Sequence, residues 1–316
     1  MNPRILVVSS ANMDLVMRTE RVPDGGETLT GTSYRYVPGG KGANAAVTVS
    51  RLAGDCVFCT RLGDDDNGRR LMSIYKENNI DTRFIGIDRN NPTGLAVIAV
   101  EEDSGQNRII VYPGANNCID SYDLDRAFCC YPDALFIQLE IPQETVIEAV
   151  AIANKRNIPV FMDAGPAKFD FPLEKLGPLE VFSPNETETL AYTDILPVGD
   201  ESCLKACMKL LKRVKARYIV LKLGDRGCYV YDGTYRSLYQ SHQVKAVDTT
   251  AAGDAFTAAL TLEYLRCSEK NRIKRACEFG NIIGALTVSR EGAMPSIPTV
   301  SEVKDFIAKR EIRFDL

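Results

Sequence analysis

From Val57 onward, short runs rich in β-branched and aromatic residues alternate with longer amphipathic segments: a strand over 57–61, a helix over 65–78, a strand over 134–139, a helix over 143–156 and a strand over 159–162. This rhythm constrains the chain more than any other feature, because a strand followed by a helix and another strand builds a parallel sheet with helices on both faces. The fold class is therefore α/β. Ile5-Leu-Val-Val8 is a continuous apolar run, as a strand buried on both faces requires, and belongs to the same sheet. Three further β runs, 27–37, 94–101 and 108–112, do not alternate with helices, and Asp103-Ser-Gly105 reads as a hairpin turn between the last two. They predict a small antiparallel sheet formed by excursions at about 12–40 and 91–115, a lid or a dimer surface with Leu95, Val97 and Ala99 on its apolar face. With no internal repeat or low-complexity linker, the chain reads as a single domain over 1–316.

Composition narrows the partners. Lys plus Arg number 38 against 42 Asp plus Glu, a net charge of −4, and no basic stripe with interleaved aromatics occurs. Neither nucleic acid nor an anionic membrane is an expected partner. Apolar runs fall short of the roughly 20 residues that cross a bilayer, and no leader pattern opens the chain, so a cytoplasmic protein acting on a small molecule is expected. The ten Cys lack regular spacing and read as reduced small hydrophobes. Cys56-Val-Phe-Cys59 has no second pair to complete a zinc site. The sole histidine, His242, has no Ser or Cys triad around it, which disfavours a hydrolase of that type.

The stretch Asp248-Thr-Thr-Ala-Ala-Gly-Asp254-Ala-Phe256 passes from small residues into an apolar helical run over 255–265. Backbone N–H groups of Ala251, Ala252 and Gly253 lie at the positive end of that helix and suit an anion. Asp254 puts a carboxylate at the mouth of the anion site, which is costly unless the acid takes a proton from an attacking hydroxyl. The plain alternative is a small-residue helix start with Asp254 as an ordinary first-turn acid. Asn12 and Asp14 follow the first strand at the edge where ligands collect in α/β sheets, and in extended chain both point the same way. They grip neighbouring hydroxyls or cap a turn. Pro38-Gly-Gly-Lys-Gly-Ala-Asn44 is a glycine turn offering Lys41 and Asn44; it is not a Walker A loop, since no Ser or Thr follows the Lys. Glu140 and Asp163 close two later strands at the same edge. Ser183-Pro-Asn185-Glu-Thr-Glu188 opens a helix whose acids hold Mg²⁺ through water or simply cap it. Residues 219–227 run from a strand into a glycine turn, a second helix spans 273–288, Gly292-Ala-Met-Pro-Ser296 closes the site region, and 300–309 is a terminal helix.

Taken together and in order, Asn12-Met-Asp14, Gly26-Glu-Thr, Gly39-Gly-Lys-Gly-Ala-Asn44, Gln138-Leu-Glu140, Asn185-Glu-Thr-Glu188, Asp248 to Asp254 and Gly292-Ala-Met-Pro-Ser-Ile-Pro298 resemble the signatures of the phosphofructokinase-B-type carbohydrate kinases, in their ribokinase branch. The resemblance runs nearly end to end. It implies a ribokinase-like three-layer sandwich with a β lid, and ATP-dependent phosphorylation of the 5-hydroxyl of D-ribose. It further implies that Asn12, Asp14, Gly40, Lys41, Asn44 and Glu140 hold the sugar, with Asp254 as base and Ala251, Ala252 and Gly253 as anion hole. Asn185, Lys222, Leu223, Gly224, Asp225, Arg226, Gly227, Gly253 and Asn281 would line the ATP site, and Glu188 would order Mg²⁺ waters. A monovalent cation, K⁺, would fall to Asp248, Thr250, Thr287, Arg290, Gly292 and Ser296, and a homodimer would form through the lid. Two positions depart from the pattern: Lys222 stands where Thr is common, and Asn281 where His occurs. The alternatives are a kinase of the same family for deoxyribose, fructose or adenosine, and a non-catalytic sugar-binding regulator. A pure binder has no use for Asp254 against an anion hole, and the polar set around Asn12 suits a small free sugar better than a nucleoside base.

Overall fold

Successive residues of the first strand face opposite cores: Ile5 and Val7 pack into one hydrophobic cluster, Leu6 and Val8 into the other. An apolar run can bury both faces only between two layers of helices, and the computed structural model, which describes residues 2–168, 170–268 and 270–315, shows both layers. In chain order the elements are β1 (Arg4–Val8), β2 (Asn12–Thr19), β3 (Ser33–Gly39), α1 (Lys41–Arg51), β4 (Asp55–Gly63), α2 (Asp66–Glu77), β5 (Ile85–Asp88), β6 (Gly94–Glu101), β7 (Asn107–Tyr112), α3 (Ser121–Ala127), β8 (Ala134–Ile137), α4 (Gln143–Lys155), β9 (Val160–Asp163), β10 (Leu179–Ser183), α5 (Glu186–Thr193), α6 (Asp200–Arg213), β11 (Ala216–Lys222), β12 (Cys228–Tyr231), β13 (Arg236–Tyr239), α7 (Ala252–Arg266), α8 (Arg272–Val288) and α9 (Val300–Lys309).

Nine strands form the main sheet in the order β13-β12-β11-β10-β9-β8-β1-β4-β5. All neighbours run parallel from β11 to β5, and β12 and β13 add an antiparallel edge. One face carries α1, α2, α7, α8 and α9, with Phe58, Tyr75, Phe279 and Tyr264 at its core; the other carries α3, α4, α5 and α6 around Phe128, Phe136's neighbour Leu135, and Phe182. The three-layer α/β architecture is the one the alternation predicted. Asp65 caps α2 by accepting from Gly68 N at 2.7 Å, and its second oxygen accepts from Thr93 N at 2.7 Å. One carboxylate therefore ties the end of β4 to the root of the lid.

The lid is a four-stranded sheet, β3-β2-β6-β7. The β3–β2 and β6–β7 pairs are antiparallel as expected, but β2 and β6 run parallel where the two excursions meet. Parallel pairing follows because both strands leave the carboxyl edge of the main sheet in the same direction. One expectation needs correction. The run 27–37 is a strand only from Ser33, since Gly31 interrupts it and Glu27 folds back on Arg21 and the Asp24 amide. Of the two faces, the one bearing Leu95, Val97 and Ala99 is the outer; the one over the ligand edge carries Asp14, Ala96, Ile98, Ile109 and Val111, which line the cavity beneath. The outer face, by contrast, leaves Tyr34, Val97, Ile110 and Tyr112 exposed, with Ile110 at 74 %.

Candidate active site

The turn from β3 into α1 brings backbone against side chains that other residue types would displace. A Cβ on Gly39 would lie 2.2 Å from Asp14 Oδ2, and one on Gly40, whose φ is +89°, would lie 2.6 Å from Asn12 N. Only glycine fits this double approach. It seats Asn12, Asp14, Gly40, Lys41, Asn44, Glu140 and Asp254 around one cavity of about 460 Å³, so every residue assigned to the sugar lines the same space.

Asp254 sits at its floor, in the first turn of α7. Ala251 caps this helix in the left-handed conformation, φ +65°, a strained backbone for a residue with a Cβ. The sharp turn leaves the first amides of α7 facing the cavity, where the helix dipole adds to them. The Asp254 carboxylate is almost fully buried. Its Oδ2 accepts from Asn44 Nδ2 at 2.9 Å, its Oδ1 from Gln138 Nε2 at 3.1 Å, and Lys41 Nζ stands 3.9 Å away. Burial pushes this carboxyl up to about 6, against the downward pull of the Lys41 charge. The group is thus ionised at neutral pH yet basic enough to accept a proton, the balance a general base needs.

Two acceptors around it have no hydrogen-bond partner among the described residues: Asp14 Oδ1 and Asn44 Oδ1, both buried. Buried orphan acceptors are costly, and a polyol would satisfy both. Burial raises the Asp14 carboxyl to about 7, with the Glu140 charge adding to it. Glu140 is itself held by Ser10 Oγ and by Lys41 N at 3.3 Å. Asn116, which sequence reasoning missed, fixes Asn12: its Nδ2 donates to Asn12 Oδ1 at 2.8 Å, and its Oδ1 accepts from Ala11 N at 2.9 Å. Gln138 stands in the Gln138-Leu-Glu140 motif without having been given a role there, whereas nothing in the local pattern marks Asn116.

A second cavity, about 250 Å³, opens on the other side of α7 and is lined by Lys222, Gly224, Asp225, Gly227, Gly253 and Asn281 as expected. Three assigned nucleotide positions lie elsewhere. Leu223 is buried in the core, Arg226 turns away to pair with Glu186 at 2.6 Å, and Asn185 lines the sugar cavity while capping α5. In their place stand the 241–244 segment with His242, and Phe256, Ala285 and Val288, an apolar slot suited to a flat base. Asn281 Nδ2 donates to Tyr239 O at 2.9 Å and Gln240 O at 3.2 Å, shaping the slot's floor.

Glu188 completes a capping box with Asn185, so the cap alternative is realised, and burial raises its carboxyl. No group of three or more His, Cys, Asp or Glu side chains able to cage a metal occurs among the described residues. A divalent ion beside Glu188 would be held through water and phosphate oxygens, which suits Mg²⁺. At the 248–250 loop, Asp248 Oδ1 accepts from Thr250 N at 2.9 Å, and its Oδ2 accepts from Gly292 N at 2.9 Å. Thr287 and Ser296 hydroxyls donate to Ile283 O and Ala293 O, while Arg290 pairs with Glu302 at 2.8 Å. The Arg290 guanidinium is taken up by Glu302, so a cation held here would meet Arg290 only through its main-chain carbonyl. All ten Cys are free thiols, and burial raises those of Cys56 and Cys59.

The model of the pfkB family of carbohydrate kinases matches residues 2–300. The chain belongs to this family. A ribokinase from Staphylococcus aureus is 33 % identical over 306 residues, 96 % of this chain and 99 % of that one. A bifunctional ribokinase/ribose-5-phosphate isomerase A from Fructilactobacillus sanfranciscensis is 33 % identical over 307 residues, and the chain spans only 56 % of its length. A solved structure of Arabidopsis thaliana ribokinase complexed with ribose and ATP superposes with a TM-score of 0.85 at 29 % identity, covering 97 % of this kinase and 99 % of that chain.

The raised carboxyl of Asp14 makes a stability prediction for the kinase. An acid whose folded pKa, about 7, exceeds its unfolded value near 3.9 destabilises the fold increasingly as pH rises through that interval. Asp14→Asn should therefore stabilise the ligand-free protein at pH 8 by on the order of 1–3 kcal/mol. In urea unfolding the advantage should shrink toward zero at pH 4.5. An equal effect at both pH values would show that the Asp14 charge is not the cause.

Proposed function

We propose that this kinase transfers the γ-phosphoryl group of ATP to the 5-hydroxyl of D-ribose, giving D-ribose 5-phosphate and ADP. The observation that carries the reading is the Asp254 carboxylate at the start of α7, with orphan acceptors for hydroxyls on one side and an apolar slot for a base on the other. Ribose as the sugar is supported by the relatives' own names. Asp14 and Asn44 accept sugar hydroxyls, and Asn12, its oxygen already held by Asn116, offers its amide hydrogens to the 2-hydroxyl. Asp254 takes the proton of the 5-hydroxyl as that oxygen bonds to phosphorus and the bridging oxygen leaves with ADP. The amides of Ala252 and Gly253 face the charge that develops, so positioning and electrostatics supply the catalysis.

Mg²⁺ bound with the nucleotide would neutralise phosphate charge beside Glu188. K⁺ at the 248–250 and 292 loops would stiffen the backbone carbonyls next to the anion-hole amides. A second copy of the chain would cover the outer lid face, where exposed Tyr34, Val97, Ile110 and Tyr112 form an apolar patch that a lone subunit leaves wet. A cytoplasmic setting suits the free thiols; among the described residues no helix is long and apolar enough to cross a membrane.

Asp254→Asn should lower kcat for ribose by roughly 10²- to 10⁴-fold with the sugar affinity within a few-fold, because the amide keeps the shape but accepts no proton; retention of half the wild-type kcat would remove the base assignment. Ribose should exceed 2-deoxyribose in kcat/KM by at least about tenfold, since a missing hydroxyl leaves the Asn12 amide unpaired. Steady-state kinetics of Asn12→Met on both sugars should narrow that gap, and an unchanged ratio would show that Asn12 does not read the 2-hydroxyl. By light scattering at micromolar concentration the wild type should be a dimer and Ile110→Lys a monomer; a monomeric wild type refutes the lid interface.

A further inference from the structure

Lys222 closes β11 at the meeting point of the two cavities. Its Nζ donates to Asp163 Oδ1 at 2.7 Å, with side-chain exposures of 10 % and 3 %. The other Asp163 oxygen accepts from Thr257 Oγ1 at 2.9 Å, on the second turn of α7. A buried pair of this kind gains little stability over apolar residues of the same size, so the pair calls for another use. Lys222 Nζ is the nearest heavy atom to a Cβ built on Gly253, at 3.5 Å, which sets the ammonium beside the amides of the anion hole. Three residues line both the sugar cavity and the nucleotide cavity: Lys222, Thr249 and Gly253. A group passing from one cavity to the other passes them. Asp163 is the one acceptor of the Lys222 ammonium among the described residues, which leaves two of its three N–H donors for an anion.

We infer that Lys222 is a catalytic residue whose ammonium contacts the phosphoryl group in transit, aimed by Asp163 as a positioning residue; this rests on the kinase reading above. In the step, the sugar 5-oxygen bonds to phosphorus, its proton goes to Asp254, and the bond from phosphorus to the bridging oxygen breaks, leaving that electron pair on ADP. Charge on the equatorial oxygens then lies between the Gly253 amide and the Lys222 ammonium. A fixed cation in a dry site costs no reorganisation when the charge moves. The sequence separation of 59 residues between Asp163 and Lys222 hides the pair from any local motif.

The test is kinetics with ribose and ATP on the wild type, Lys222→Met, Lys222→Arg, Asp163→Asn and the double variant Lys222→Met/Asp163→Asn, with thermal unfolding of each. Lys222→Met should lower kcat by about 10²-fold or more, with the KM for ribose within a few-fold, and Lys222→Arg should recover most of the loss. Binding of ADP with aluminium fluoride, a mimic of the phosphoryl in flight, should weaken by a similar factor in Lys222→Met while ADP alone binds as before. The double variant removes both buried charges, so its Tm should return toward wild type while its kcat stays low and below that of Asp163→Asn. If the double variant recovers kcat, if Asp163→Asn alone is as slow as the double, or if Lys222→Met keeps pace with the wild type, Lys222 is only a counterion and the proposal falls. A wild type that releases ADP with no sugar at all overturns the kinase reading instead.

Discussion

The arrangement depends on keeping one carboxylate charged in a place that water barely reaches. Asp254 pays a desolvation cost that would neutralise it, and the amides of Asn44 and Gln138 together with the Lys41 ammonium offset enough of that cost to leave it ionised near neutrality. Those three side chains come from the first turn of α1 and from the end of β8, so the base is only as good as the packing of two separate segments against α7. The sheet supplies this by ending its parallel strands at one level. The left-handed turn at Ala251 then aims the helix amides into the same space.

Much of this was legible along the chain. The alternation from Val57 onward gives the layers because a period of two and a period of 3.6 are local properties. The seven sugar-side positions were legible because glycines and polar residues at strand ends have few structural uses in combination. Other features were hidden because they are agreements between distant segments. The parallel pairing of β2 with β6 joins residues about 80 positions apart, and β2 itself, Asn-Met-Asp-Leu-Val-Met-Arg-Thr, shows no clean alternation because the polar Asp14 is buried facing the cavity beneath the lid. Asn116 reaches Asn12 across 104 positions.

Only part of the turn expected at the nucleotide lines the second cavity, for a related reason. Resemblance marked the turn 222–227 as a block, yet the helical turn at 224–226 sends residues three apart to the same side, so Leu223 fills the core and Arg226 braces Glu186 while their neighbours face the slot. The opposite wall, from Ser241 to Ala246, is Ser-His-Gln-Val-Lys-Ala, a mixed stretch that matches no motif. Its shape is set by what packs behind it, here Asn281 and the end of β13.

The strict division of the lid into an inner and an outer face limits how such a sheet can change over time. Asp14, Ala96 and Val111 are directly paired across three strands, as are Leu15, Val97 and Ile110 on the reverse. Adding or losing one residue ahead of β6 would turn Leu95 and Val97 toward the sugar and Ala96 and Ile98 away from it in a single event. Length variation is thus confined to the open turn at 102–106, where Gly105 has no neighbour within 4 Å of an added Cβ, or to steps of two. Relatives that differ in the length of this lid should differ at its tip, while the spacing from Thr93 to Ile98 stays constant.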